Sequence, residues 1–186
     1  MLRVTSSMIG YGLNAKDGTI GKVKDLLFDE EQWTVRYVVA DSGEWLPGRK
    51  VLLSPAAMQS PDWESRKLDV GLTKEQIQNA PGLDEHAPVS RQFERQLNDY
   101  YAIPHYWGGL YTWGGGAAPM DLYNTSLQAD PVEPPLSELP DEEASHLRSV
   151  HEVTGYHVEA EDGEIGHVDE FIMDDAGWTI RYLVIK

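Results

Sequence analysis

Asp17-Gly18-Thr19-Ile20-Gly21-Lys22-Val23-Lys24-Asp25-Leu26-Leu27-Phe28-Asp29 returns, at an offset of 145, as Asp162-Gly163-Glu164-Ile165-Gly166-His167-Val168-Asp169-Glu170-Phe171-Ile172-Met173-Asp174. The match extends without gaps from Gly10–Ala40 to Gly155–Ile185, with 14 identities in 31 positions. Such self-similarity marks one structural unit used twice. Each copy reads as a β-meander. Asp-Gly opens it, because glycine takes φ > 0 in a tight turn without Cβ strain. Gly21, just inside the strand, predicts a bulge or a close backbone approach. Trp33-Thr34-Val35-Arg36-Tyr37-Val38-Val39 is rich in β-branched and aromatic residues and predicts the next strand. Simple alternation puts Trp33, Val35, Tyr37 and Val39 on one core-facing side.

Outward from the first copy, Lys50–Leu53 and Trp63–Val70 read as further strands. Leu72–Pro81 reads as a short helix stopped by Pro81. The second copy contains no equivalents of those later strands up to Lys186. Three strands cannot close a barrel and would leave an open edge. Either the native chain extends past Lys186, or the unit completes itself against the first copy or another chain. The expected organisation is therefore a first unit over residues 1–81, a connecting segment over 82–149 and a partial second unit over 150–186.

The connecting segment differs in character. Val89–Tyr101 places Phe93, Leu97 and Tyr100 or Tyr101 at helical spacing, with Ser90 as N-cap. An aromatic and glycine tract, Tyr106 to Gly116, follows without a regular period. Its glycines lack the Gly-Lys-[Ser/Thr] ending of a phosphate loop. Tyr106, Trp107, Tyr111 and Trp113 are the candidate partner-binding residues, since exposed Tyr and Trp are frequent contact anchors. Packing down on the barrels as a strap is the competing reading of the tract. Asp130–Pro135 and the acidic Glu138–Glu143 run read as linker.

The chain has 186 residues, no cysteine and a net charge of −16. The acid is uneven: net −1 over residues 1–80, −9 over 81–147 and −6 over 148–186. That surface repels phosphate backbones, so nucleic acid is not an expected partner. No apolar run approaches the roughly 20 residues of a membrane-spanning helix, and Met1–Ser7 has no signal-peptide core. A cytoplasmic protein without disulfides or thiol chemistry is the expectation. His146, His151 and His157 lie near carboxylates without a zinc-ligand spacing, and no calcium-loop pattern occurs. No nucleophile–base signature is present. No catalytic, cofactor-binding or metal-binding residue is assigned.

The ordered set from Asp17 to Pro55, including Gly43-Glu44-Trp45-Leu46-Pro47-Gly48-Arg49-Lys50-Val51-Leu52-Leu53-Ser54-Pro55, resembles the PRC-barrel family. The resemblance covers residues 1–81 and 150–186. It implies a mainly β fold: a small PRC-type β-barrel repeated in tandem, the second copy incomplete, with short helices in the connecting segment. The family includes the cytoplasmic part of the photosynthetic reaction-centre H subunit and the C-terminal domain of a ribosome maturation factor. It has no general catalytic motif. What the resemblance implies is a non-enzymatic protein-interaction or scaffolding module without a cofactor, binding a protein partner or a second copy of itself. The alternatives are a small-molecule or enzymatic module built on the aromatic tract, and a ribosome- or RNA-associated factor. The latter would need a basic patch from Lys22, Lys24, Arg49, Lys50, Arg66 and Lys67, which neighbouring acids offset.

Overall fold

The computed structural model describes residues 1–125 and 145–186. Glu138–Glu143 and Asp130–Pro135 lie outside the described residues. Eleven strands share one continuous network of pairing: β1 (Leu2–Val4), β2 (Gly12–Ala15), β3 (Gly18–Asp29), β4 (Thr34–Asp41), β5 (Arg49–Leu53), β6 (Lys67–Asp69), β7 (Leu83–Asp84), β8 (Leu147–Ser149), β9 (His157–Ala160), β10 (Gly163–Asp174) and β11 (Thr179–Ile185). The protein is mainly β, with a curled sheet consistent with a PRC-type barrel. Among the described residues four short helices accompany it: α1 (Lys74–Asn79), α2 (Arg91–Tyr101), α3 (Asp121–Thr125) and α4 (Val150–Val153).

In the first unit, β2, β3, β4 and β5 form an antiparallel run, and β6 adds to β2 in parallel. The expected Trp63–Val70 strand is shorter, because Asp62 caps a turn through Ser65 by accepting from the Glu64 and Ser65 amides. The two later helices form as read. Thr73 caps α1 in a reciprocal capping box with Gln76. Ser90 accepts from the Phe93 amide at the start of α2.

The expected single face for Trp33, Val35, Tyr37 and Val39 does not form. The β3–β4 register jumps from Leu27↔Tyr37 to Phe28↔Val35, so Arg36 is an extra, bulged residue. Val35, Val38 and Ala40 consequently face the barrel interior with Leu13, Ile20 and Leu53. Tyr37 and Val39 face outward, where Phe93 and Leu97 of α2 cover them together with Leu27, Leu52 and Leu147. Trp33 sits at the hairpin end with φ 52° and is half exposed.

The second copy repeats this geometry position by position. β10 jumps from Ile172↔Tyr182 to Met173↔Ile180, bulging Arg181 as Arg36 is bulged. Trp178 has φ 55° where Trp33 has 52°. A Cβ on Gly21 would collide with the Asp41 carbonyl, and one on Gly166 with the Lys186 carbonyl.

The copies also exchange their short leading strands. β1 pairs with β10 through Leu2↔Asp174, Arg3↔Met173 and Val4↔Ile172. β8, 145 residues later, pairs with β3 through Leu147↔Asp29, Arg148↔Phe28 and Ser149↔Leu27. Several other links across the junction are reciprocal. The Val35 amide donates to the Trp178 carbonyl at 2.8 Å, and the Ile180 amide to the Trp33 carbonyl at 2.7 Å. Arg3 meets Asp175, and Arg148 meets Glu30. Such a pattern is an isologous, two-fold interface drawn within one chain. On this side the short unit is completed against the first copy.

Candidate functional site

Two regions merit attention: the aromatic tract and the surface of the second unit. The tract forms a 3₁₀ turn at Tyr106–Gly108 and two narrow bridges, Tyr111↔Gly114 and Trp113↔Gly116. Trp113 and Tyr106 are fully buried, Trp107 is half-buried and Tyr111 is exposed. Tyr106 and Trp113 are therefore core residues rather than free contact anchors. The reason is Arg36. Its bulge drives a guanidinium into a covered position, and a buried charge requires partners. Arg36 donates to the Thr112 carbonyl at 2.6 Å and to Gln32 Oε1 at 2.8 Å, with Asp29 Oδ2 at 3.4 Å. The Tyr106 ring lies 3.7 Å and the Trp113 ring 4.8 Å from the guanidinium carbon. Burial lowers the pKa of Arg36 from its ordinary value, while Tyr106 and Asp29 oppose that shift.

A polar network continues behind the ring. The Tyr106 hydroxyl donates to Glu94 Oε1 at 2.7 Å and accepts from Arg91 at 2.7 Å. His146 approaches Glu94 Oε2 at 3.3 Å, which accounts for the first of the three histidines. Burial, followed by the Glu94 carboxylate, holds the Tyr106 phenol well above its ordinary pKa. Trp113 reaches the other way, donating Nε1–H to the Gly177 carbonyl at 2.7 Å. The tract thus straps the first unit to the hairpin of the second. Among its ring residues Tyr111 alone, beside the exposed Leu110, stays on the surface.

Of the other two histidines, His157 pairs with Glu164 at 2.7 Å, and His151 is exposed beside Asp25, which accepts from its amide. Among the described residues no three His, Asp or Glu side chains converge as a metal site. A cleft of about 560 Å³ lies where the first unit meets the connecting segment and α4, lined by Lys24, Lys50, Glu85, His86, Arg148 and His151 among others. It is polar and does not include the aromatic tract. Its cations are already engaged: Lys24 with Glu85, Lys50 with the Ala87 carbonyl and Arg148 with Glu30.

The second unit carries a surface that motif reading does not single out. Tyr156 is 59% exposed where its equivalent Tyr11 is 5%. Ile165 is 52% exposed against 3% for Ile20, and Tyr182 is 58% exposed against 1% for Tyr37. In the first unit β5, β6 and α1 close the interior face, and α2 covers the outer one. The second unit has no such cover among the described residues. Val38–Ala40 of β4 pair with Leu53–Val51 of β5, whereas the equivalent Leu183–Ile185 of β11 pair, among the described residues, with β10 alone.

No helix among the described residues is long and apolar enough to cross a membrane. No curated protein matches the chain. The family model of the PRC-barrel domain matches residues 13–76, the stretch that runs from β2 through β6 to the middle of α1. With the curled sheet, the bulged strands and that match together, the first unit of this chain is a PRC-barrel domain.

Proposed function

We propose that the chain is a non-catalytic protein-interaction module, in which the closed first unit is a platform and the open second unit is the contact surface. A PRC-barrel is a general protein-interaction domain, and the tandem arrangement offers a covered and an uncovered version of one sheet. The observation that carries the reading is the contrast between Tyr37, Ile20 and Tyr11, all buried, and Tyr182, Ile165 and Tyr156, all exposed. Apolar side chains exposed on a unit whose duplicate keeps them covered are candidates for an interaction surface. The acidic second unit, net −6 over residues 148–186, favours a basic protein partner over nucleic acid. Cytoplasmic residence belongs to the same proposal.

A photo-crosslinking phenylalanine analogue placed at Tyr182 tests it in the protein's own cells. The control position is Tyr100, which is exposed on α2, outside the second unit. A discrete protein adduct at Tyr182 and none at Tyr100 is the expected result. Absence of an adduct at Tyr182 overturns the reading.

A further inference from the structure

The junction between the two copies is built as a contact between separate molecules is built. Thr34 of β4 pairs with Thr179 of β11, its own equivalent at the offset of 145, so the pseudo-two-fold axis passes between them. Each copy inserts a leading strand that begins Leu-Arg: Leu2-Arg3 in β1 and Leu147-Arg148 in β8. Each strand is received alike. The Asp175 amide donates to the Met1 carbonyl at 3.0 Å, and the Glu30 amide to the His146 carbonyl at 3.1 Å. The arginines meet the side chains of the same two acids, Arg3 with Asp175 and Arg148 with Glu30. Past the strand a carboxylate caps the turn. Glu170 accepts from the Ser6 amide at 3.3 Å, and Asp25 from the His151 amide at 3.2 Å. Every residue in one of these sets has its equivalent in the other.

A partner for such a face must supply a Leu-Arg leading strand, an acid at the hairpin end and a second carboxylate further back on the receiving strand. Another copy of this chain supplies all three. The covalent link does not stand in the way. α2 and the aromatic tract pack on the first unit, and 19 residues, 126–144, separate them from the segment that carries β8. Fully extended, a stretch of that length reaches about 60 Å, beyond the roughly 40 Å width of a folded chain this size. A dimer that trades second copies keeps the contacts of the monomer and differs only in which chain supplies each side.

We propose that this face takes a second copy of the chain. The first unit of one molecule receives β8 and the second unit of another and gives β1 in return, forming a two-fold dimer. The exchanged share rises with concentration, because the internal partner is held at an effective concentration on the order of 1 mM. The dimer carries two of every outer surface and so binds any partner of the chain bivalently. This holds independently of what contacts the second unit.

Two charge-reversed chains test the exchange. One carries Arg148→Glu and Asp175→Arg, both in the second copy; the other carries Arg3→Glu and Glu30→Arg, both in the first. Within either chain alone both junction pairs become like-charged. Traded between the two chains, all the pairs are complementary again. After an equimolar mixture is refolded together from urea, light scattering should show a dimer share at least about tenfold above either variant alone, equivalent to about 1.4 kcal/mol. A mixture that behaves as the sum of its parts overturns the proposal.

Cysteine trapping keeps the natural charges and decides the matter if the reversed chains fail to fold. The chain has no cysteine, so Leu2→Cys on one molecule and Asp174→Cys on another are the only thiols, at cross-strand partners of β1 and β10. Refolded together at about 100 μM, on the order of a tenth of the molecules should be joined by a disulfide. Leu2→Cys with Glu161→Cys, exposed on the β9–β10 turn, sets the background of random oxidation. A yield no greater than that background overturns the proposal as well.

Discussion

Arg36 and Arg181 occupy the same bulge in the two copies and live in different surroundings. Arg36 is sealed beneath Tyr106 and Trp113, with Asp29, Gln32 and the Thr112 carbonyl as partners. Arg181 is about half exposed and has Asp174 at 3.8 Å. Gly177 stands where the first copy has Gln32, so the side-chain acceptor is missing there, and its carbonyl serves Trp113 instead. Removing one member of a buried ionic set leaves the others desolvated and uncompensated, whereas exposed pairs contribute little. Arg36→Ala should therefore destabilise the protein by about 3 kcal/mol. Arg181→Ala should stay within about 0.5 kcal/mol of the wild type. Urea titration followed by tryptophan fluorescence measures both. Similar losses for the two would mean that the aromatic strap does not set the difference.

At the scale of elements, the joint between the exchanged strand and its host depends on one carboxylate. Glu170 of β10 accepts from the Thr5 hydroxyl at 2.8 Å, the Ser6 amide at 3.3 Å and its neighbouring Phe171 amide at 2.9 Å. Thr5 and Ser6 open the 3₁₀ turn that follows β1. Partial burial pushes the Glu170 pKa up, and hydrogen bonds from Ser6, Phe171 and Thr5 outweigh it, leaving the carboxyl below its ordinary value of 4.5. A depressed folded-state pKa stabilises above the unfolded value and is lost as pH falls through the folded one. Stability should thus decline below about pH 4.5, and Glu170→Gln should flatten that decline. Melting temperatures between pH 3 and 6 would show it; an equally steep fall in the variant would reject this carboxylate as a source. Both hairpins, the stop of α1 before Pro81 and the Ser90 cap of α2 were legible in the residues, because turn dipeptides, β-branched runs, proline stops and Ser caps act locally. The exchange of β1 and β8 was not. Three residues carry too little alternation, and Leu2 finds Asp174 at the far end of the chain. Nor was the bulge visible, since Arg36 falls where simple alternation expects a polar residue. The exposed Tyr156, Ile165 and Tyr182 are identical to their buried counterparts, so identity alone could not tell covered from uncovered.

For the whole molecule, reciprocal strand exchange makes the two units parts of one cooperative structure. β3 keeps β8 only if the second copy is folded, and β10 keeps β1 only if the first is. Phe28 and Phe171 meet across the junction with ring centroids 5.6 Å apart. Far-ultraviolet circular dichroism and tryptophan fluorescence should therefore report one coincident thermal transition for the chain. A fragment Met1–Pro81, deprived of β8 and of α2 over Tyr37, should melt at lower temperature and without a sharp transition. Two separated transitions in the intact chain, or an unchanged melt of the fragment, would show independent domains.

The two-fold relation has one more implication, for divergence. In a dimer of identical subunits each substitution is imposed on both halves, so a sheet face is covered twice or exposed twice. Joining the halves in a single polypeptide breaks that equality while keeping their association independent of concentration. One half can then keep both sheet faces covered, and the other can change its surface without disturbing the partner that holds it folded.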